Sequence, residues 1–338
     1  MKRNIIKVLV AFVCICMLAT QRMMADAVTV TLMVDEQVER PAAVDVAARN
    51  LGAILSEINR AQKVQSILTT KNLAMDDFSL KSLLRLWDVT PFYCDDSEVV
   101  ERCWVFKDGS MMVSHIPLII TPVGEDFGMG TYQEAVVEFD ARGKVTDFRL
   151  ALDAHLSESM THCGSVVEEE KRMVIMQYVE RFRTAYNQRD IDYIEKIFSD
   201  DALIITGKVI TARKSGDTNA MSQKVEYTKQ SKQQYIRNLR MAFIRNKWIN
   251  VKFTDIAEGA GCAGITRSNV NPNMYGVRLM QEWNSSNYSD KGYLFLLWEF
   301  PENGADPIIH VRTWQPETVG NQHQEPDDNI STLGAFDL

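Results

Sequence analysis

Basic residues, cysteines and histidines are all scarce in this 338-residue chain, and each shortage closes off a class of function. There are 37 Lys and Arg against 45 Asp and Glu, a net charge of −8. Such a surface repels phosphate backbones, so nucleic acid is not an expected partner. Only six cysteines are present, and two of them, Cys14 and Cys16, lie in the N-terminal apolar stretch. The other four, Cys94, Cys103, Cys163 and Cys262, are too few for a disulfide-dependent scaffold. Cys94 and Cys103 either staple a local loop or stay as buried free thiols, and their spacing does not choose between the two. His155, His162 and Cys163 cluster, but zinc sites want a fourth ligand and tighter repeated spacings. They read as a polar linker, and neither a metal nor a cofactor is expected.

Long apolar runs are also missing. The one candidate, Ile5 to Ala19, is broken by Lys7 and is too short for a full membrane span. Lys2 and Arg3 precede it and Ala25-Asp26-Ala27 follows, the layout of a secretory signal peptide cut after Ala27. No acylatable cysteine follows the run. The mature protein is therefore expected to be exported, to the periplasm or the cell surface, without a membrane span. Cleavage removes four of the 37 basic and one of the 45 acidic residues, which takes the net charge to −11.

A nucleotide fingerprint is missing in substance though present in letters. Gly259-Ala260-Gly261-Cys262-Ala263-Gly264 spells G-x-G-x-x-G, but the motif works only when a helix follows to receive the pyrophosphate. Here ITRSNVNPN follows, which is turn chemistry, so the segment reads as a loop.

What is present is an ordinary globular composition, 46% hydrophobic and 24% charged, with length for two domains. The expected division is a signal peptide over 1–27, an N-terminal α+β domain over 28–160, a second domain over 166–316 and an acidic tail over 317–338. In the first domain, VTVTLMV (28–34) reads as a strand, and the spacing of Val46, Ala47, Asn50, Leu51, Ile54, Leu55 and Ile58 predicts a helix over 44–62. A second helix runs from about Leu80 to Trp87. Four strands follow, EVVERCWVF, MMVSHIPLIITPV, YQEAVVEFD and KVTDFRLAL. Residues 153–164 lose periodicity and mark the boundary.

The second domain opens with a strong helix, its inward face marked by Val174, Ile175, Tyr178, Val179, Phe182, Ala185 and Tyr186. Asp190 can cap a short helix ending at Phe198. The strand ALIITGKVI follows, then a polar loop, and Ser231 with Gln234 forms a capping-box pattern for a third helix. WINVKFTDI, MYGVRLMQEW, GYLFLLWEF and IIHVRTW complete a meander of four strands. The pair Asp200-Asp201 falls where the short helix meets the first strand, so it reads as polar punctuation and not as an acid/base dyad.

The opening VIMQYVERFRTAYNQRDIDYIEKIFSDDALIITG, with GYLFLLWEF and IIHVRTW as final strands, resembles the nuclear transport factor 2-like (NTF2-like) superfamily. The likeness spans about residues 168 to 316. It implies an α+β cone in which a curved antiparallel sheet wraps a long helix, a cystatin-like arrangement. The N-terminal domain, helices followed by a meander, is compatible with a divergent copy. The whole chain is similar to secreted proteins of Bacteroides-like bacteria. Members of the superfamily include isomerases, dehydratases, epoxide hydrolases and cyclases as well as pure binders. The resemblance carries over no catalytic residue.

On the last strand His310, Arg312 and Trp314 alternate, which predicts one common face and a reader of anions or carboxylates if that face lines the cone. Glu299 or Glu282 is the simplest carboxylate to serve His310. Trp298, Tyr186 and Tyr178 complete the set of pocket candidates, while Trp248, Trp283 and Tyr275 read as core aromatics. The tail is polar and acidic and is expected to drape on the surface, with Leu333 to Leu338 able to dock on a partner. Three uses follow. The first is non-catalytic binding or assembly in the cell envelope, with an envelope protein or a small molecule as partner. The second is a lyase, isomerase or hydrolase in the cone, with His310 as acid/base and Arg312 as anion clamp. The third is a homodimer built through the domains.

Overall fold

The computed structural model describes residues 27–35, 40–120, 132–162, 167–213, 221–256 and 264–336. The signal-peptide reading, Cys163, Cys262 and the glycine-rich motif up to Ala263 lie outside the described residues, as does the side chain of His162. The chain divides into two compact units. One comprises the residues up to Trp87 together with Pro91–Phe148, the other Asp88–Thr90 with Arg149–Leu338. The division precedes the expected 160. Residues 154–162 are not an aperiodic linker but a helix, and Leu152, Leu156 and Met160 are buried in the C-terminal core.

In the N-terminal unit, β1 (Thr29–Met33) is followed by α1 (Ala42–Lys63), α2 (Asp77–Val89), a short β2 (Phe92–Tyr93) and the strands β3 (Glu98–Val105), β4 (Met111–Ile120), β5 (Tyr132–Phe139) and β6 (Val145–Leu150). The sheet order is β1-β3-β4-β5-β6, with β2 beside β4. Val44, Ala47, Leu51, Ile54, Leu55 and Ile58 on α1 are all fully buried, so the apolar stripe of the helix fills the core as its spacing requires. Gly52 permits close approach, since a Cβ there would lie 2.9 Å from the Val28 carbonyl oxygen. Cys94 and Cys103 are buried free thiols and form no disulfide. Burial pushes both up to about 11, which suppresses the reactive thiolate.

The C-terminal unit runs α3 (Ala154–His162), α4 (Glu169–Asn187), α5 (Ile191–Ile197), β7 (Phe198–Arg213), β8 (Met221–Gln230), α6 (Lys232–Arg245), β9 (Ile249–Thr254), β10 (Ile265–Arg267), β11 (Met274–Ser285), β12 (Ser289–Glu299) and β13 (Ile308–Pro316). Asp190 caps α5 by accepting from the Tyr193 amide at 3.2 Å. Ser231 and Gln234 close a complete capping box on α6. The sheet order is β10-β11-β12-β13-β7-β8, with β9 pairing further along β11 on the same edge as β10. The first strand, β7, runs parallel to the last, β13, and the other pairings are antiparallel. Ile175, Val179, Phe182 and Tyr186 of α4 pack on Val277, Leu279, Leu294, Leu296 and Trp298 of the sheet. This α+β arrangement of a helix held by a meander is the cone that the resemblance implies. The N-terminal unit has a different connectivity, because its first strand runs parallel to β3, at the start of its meander.

Two expectations change. The stretch after ALIITGKVI includes the strand β8, paired with β7 from Ile204–Gln230 to Arg213–Met221. Strand β7 itself begins at Phe198, so Asp200 and Asp201 lie within its first residues and not in a turn. Their partners differ: Asp200 accepts from Lys232 Nζ at 2.8 Å, and Asp201 accepts from the Ser199 hydroxyl. They do not act as a dyad.

Candidate functional site

Strand β13 lies between β12 and β7, in the middle of the sheet, and its register decides what enters the cone. Arg312 sits between Leu296 and Ile204, and Trp314 between Leu294 and Thr206. Leu296, Leu294 and Ile204 belong to the core against α4, so Arg312 and Trp314 share that face. A β-bulge at Leu297/Trp298 shifts the pairing, so that Ile309 opposes Trp298, and both residues are in the same core. An extra residue breaks the period-2 alternation. His310 therefore does not join Arg312. Its Nε2 meets Glu299 Oε2 at 2.8 Å, and Glu299 follows the inward Trp298, which places the pair on the opposite face. Glu282 is also directed away from the core and pairs with Lys291 at 3.6 Å.

A guanidinium inside a core needs compensation. Arg312 is 5% exposed. Its Nη2 donates to Gln281 Oε1 at 3.1 Å, and its Cζ stands 5.2 Å from the centre of the Tyr235 ring, a cation–π distance. The Tyr235 and Tyr186 hydroxyls are 2.5 Å apart, and Trp283 meets Tyr186 edge-on at 6.0 Å. Burial drives the Tyr186 hydroxyl well above the usual phenol range, Tyr235 adds to the shift, and Arg312 opposes it. Asp290 stands opposite Trp283 on β12. Burial raises its pKa, against the pull of the Tyr288 hydroxyl at 2.8 Å and of Arg312.

Three polar atoms of this group are buried without a hydrogen-bond partner: Arg312 Nε, Trp314 Nε1 and Asp290 Oδ1. Native interiors rarely leave such atoms unmet, and a bound water, ion or ligand is the usual explanation. Two donors and one carboxylate oxygen, walled by tyrosine and tryptophan, suit a molecule that offers a carbonyl or carboxylate oxygen.

Of the six pocket candidates, the structure thus brings together Arg312, Trp314 and Tyr186. Tyr178 and Trp298 lie 6.2 Å apart among Phe300 and Phe182, joined to Tyr186 through Phe182 at 4.9 Å, and His310 is on the other face. Tyr235, Gln281, Trp283 and Asp290 are the additions. Gln281 had a signal in the sequence, as the one amide in the inward row Tyr275, Val277, Leu279, Gln281, Trp283. Asp290 had none, because only strand register sets it across from Trp283. His155 faces Asp255 at 3.7 Å, and among the described residues no group of three or more His, Cys, Asp or Glu is placed to hold a metal ion.

Asp290 gives a test of this environment. An acid whose folded pKa is raised above 3.8 binds its proton more tightly folded than unfolded, so its contribution to stability is lost as pH rises through the folded value. Asp290→Asn is free of that loss. The unfolding midpoint of the variant minus that of the parent is expected to grow between about pH 4 and pH 7. A difference that stays flat or shrinks would contradict the assignment.

No family model matches the sequence, and no curated protein matches it. Solved structures similar to it include Bd1075 of Bdellovibrio bacteriovorus, at 14% identity and TM-score 0.32 over 44% of this chain and 42% of that one, so the match spans less than half of the Bdellovibrio protein. An NTF2-like protein of unknown function from Pseudomonas putida KT2440 is similar at 11% identity and TM-score 0.30, over 44% of this chain and 87% of that one. A third, an NTF2-like protein from Cytophaga hutchinsonii, is similar at 14% identity and TM-score 0.30, over 43% and 98%. Identities and scores this low carry nothing about activity.

Proposed function

We propose that this is an exported binding protein whose C-terminal cone takes a small molecule through a carbonyl or carboxylate oxygen. The observation that carries the reading is the buried Arg312, held by Gln281 and Tyr235 with its Nε unmet beside the unmet Trp314 Nε1. A fixed guanidinium and an indole N–H form a donor pair of the kind that recognises such oxygens. Titration of the intrinsic tryptophan fluorescence with benzoate tests it. Benzoate is expected to perturb the emission saturably, and Arg312→Gln to weaken the apparent Kd about tenfold or more, since hydrogen bonds to charged groups are worth about 1.5–3 kcal/mol. Equal titration of parent and variant, or no response in either, would reject the proposal.

One observation favours a second reading, in which the cone carries out proton transfer. Asp290 is a carboxylate of raised pKa with a free Oδ1 next to the donor pair, the attributes of a general base. Under that reading Asp290→Asn keeps benzoate binding but abolishes deuterium exchange at the α-carbon of a ketone probe such as cyclohexanone. Under the binding reading the parent shows no such exchange.

A further inference from the structure

A cavity lies on the opposite face of the same sheet, beside the C-terminal tail. The acidic tail, expected to drape on the surface, is held on this sheet by hydrogen bonds and apolar contacts. Tyr293 donates to the Gln324 carbonyl at 2.8 Å, Gln315 Nε2 to the Glu325 carbonyl at 2.7 Å, and Thr313 Oγ1 to the Ile330 carbonyl at 2.5 Å. Phe336 stacks on Phe295 at 5.7 Å, and Leu333 packs with it against Met274, Leu297 and Val311. The apolar tail residues thus dock on their own sheet. Gly276 makes this possible, because a Cβ there would stand 3.0 Å from Leu333 Cγ and 2.8 Å from the Phe295 ring.

Between this strap and the residues after β10 lies a cavity of about 790 Å³, within the range of roughly 300–1,000 Å³ that small-molecule sites occupy. Met274, Leu297, Leu333 and Phe336 give it an apolar floor, and Arg278 stands at its wall. Among the described residues the Arg278 side chain donates no hydrogen bond. Its Nε is buried without a partner, and its only ion pair among the described residues is a 3.7 Å approach of Nη2 to Asp328, whose side chain is 80% exposed. A guanidinium that donates no protein hydrogen bond, beside an apolar cavity, suits an oxyanion carrying a hydrocarbon chain, of which a carboxylate is the simplest. The head would take the bidentate donors of Arg278 in place of the distant Asp328, and the chain would lie on the apolar floor.

We infer that this cavity binds a free single-chain carboxylate of the fatty-acid type, at a site separate from the Arg312 cluster. Gly334 lines the cavity, and a Cβ there would meet nothing within 4 Å, so a side chain can start from this position into open space and Gly334→Trp is chosen to occlude the cavity. Calorimetric titration of the full chain with dodecanoate below its micelle concentration is the test, with unchanged circular dichroism and unfolding midpoint required of each variant. One dodecanoate per chain is expected. Arg278→Gln should weaken it about tenfold or more, Gly334→Trp should abolish it, Arg312→Gln should leave it unchanged, and acetate should not compete. The inference is overturned if dodecanoate does not bind, if its Kd ignores both Arg278→Gln and Gly334→Trp, or if it follows Arg312→Gln into the cone. It is equally overturned if vesicles of phosphatidylglycerol are captured through Arg278 while free dodecanoate is not.

Discussion

Glu180→Ala is expected to lower the thermal midpoint of the C-terminal unit by about 10 °C, from a loss of about 3–5 kcal/mol. Glu180 sits on α4 with its side chain 2% exposed, and its Oε2 accepts from Arg149 Nε at 2.9 Å while Arg149 is 1% exposed. Its Oε1 also accepts from the Leu152 amide at 3.3 Å. One turn along the helix, Arg183 is buried too, donating to the carbonyls of Val251 and Ala151. Burial pulls Arg183 down to about 10, and the nearby Glu180 opposes that pull. Glu180 therefore offsets the burial of two guanidiniums, with Asp153 also acting on Arg183, and deleting it weakens the compensation of positive charge in a poorly solvating core. Replacing Arg149 and Glu180 together by methionine should recover much of the loss, because an apolar pair of similar volume often substitutes for a buried ion pair. Calorimetric unfolding of the three proteins gives the answer. A midpoint for Glu180→Ala within about 2 °C of the parent, less than about 1 kcal/mol for a unit of this size, would show that the pair contributes little.

Gly292→Ala is expected to cost about 1–3 kcal/mol, the usual penalty for overfilling a packed core. Gly292 lies on the inward face of β12, opposite Gln281. A Cβ at this position would collide with the Gln315 carbonyl oxygen and stand 2.7 Å from the indole of Trp314. Backbone gives way poorly, so either the β12–β13 pairing opens or the indole turns away from its place next to Arg312. The two outcomes are separable. A displaced indole changes tryptophan emission and benzoate affinity, whereas an opened pairing lowers the unfolding midpoint and leaves the emission of the folded protein near that of the parent. If emission, affinity and midpoint all match the parent, the contact has been misjudged.

The parts of this fold that were legible from sequence share a local cause. Asp190 and the Ser231–Gln234 box announce helix starts by chemistry confined to three or four residues. The inward rows of α4 and β11 announce themselves by period, whereas β12 is apolar on both faces and reads only as a buried strand. Strand β8 was not legible because MSQKVEYTKQ is an edge strand with β7 as its one neighbour, largely exposed and hence without an apolar alternation to read. Helix α3 was hidden by its shortness and its polar surface. The candidate site depended on a still less local feature. Alternation placed His310 with Arg312 and Trp314, and one inserted residue at the bulge removed it. Tyr235, Gln281 and Asp290 converge on Arg312 from three different elements, a meeting that only the register of the sheet determines.

The parallel pairing of β7 with β13 has a consequence for how the C-terminal unit comes into being. Ile204 finds Arg312 as its neighbour, so the earliest strand of the sheet waits for the last long one. Closing so wide a loop costs entropy before any contact repays it, which slows folding relative to a meander of hairpins. During synthesis, β7 would emerge with β8 as its one sheet neighbour and keep its other edge open until β13 follows. An arrest after β12 leaves β7 without its inner neighbour, and Arg312, the charge around which the cone's polar cluster is organised, has not yet arrived.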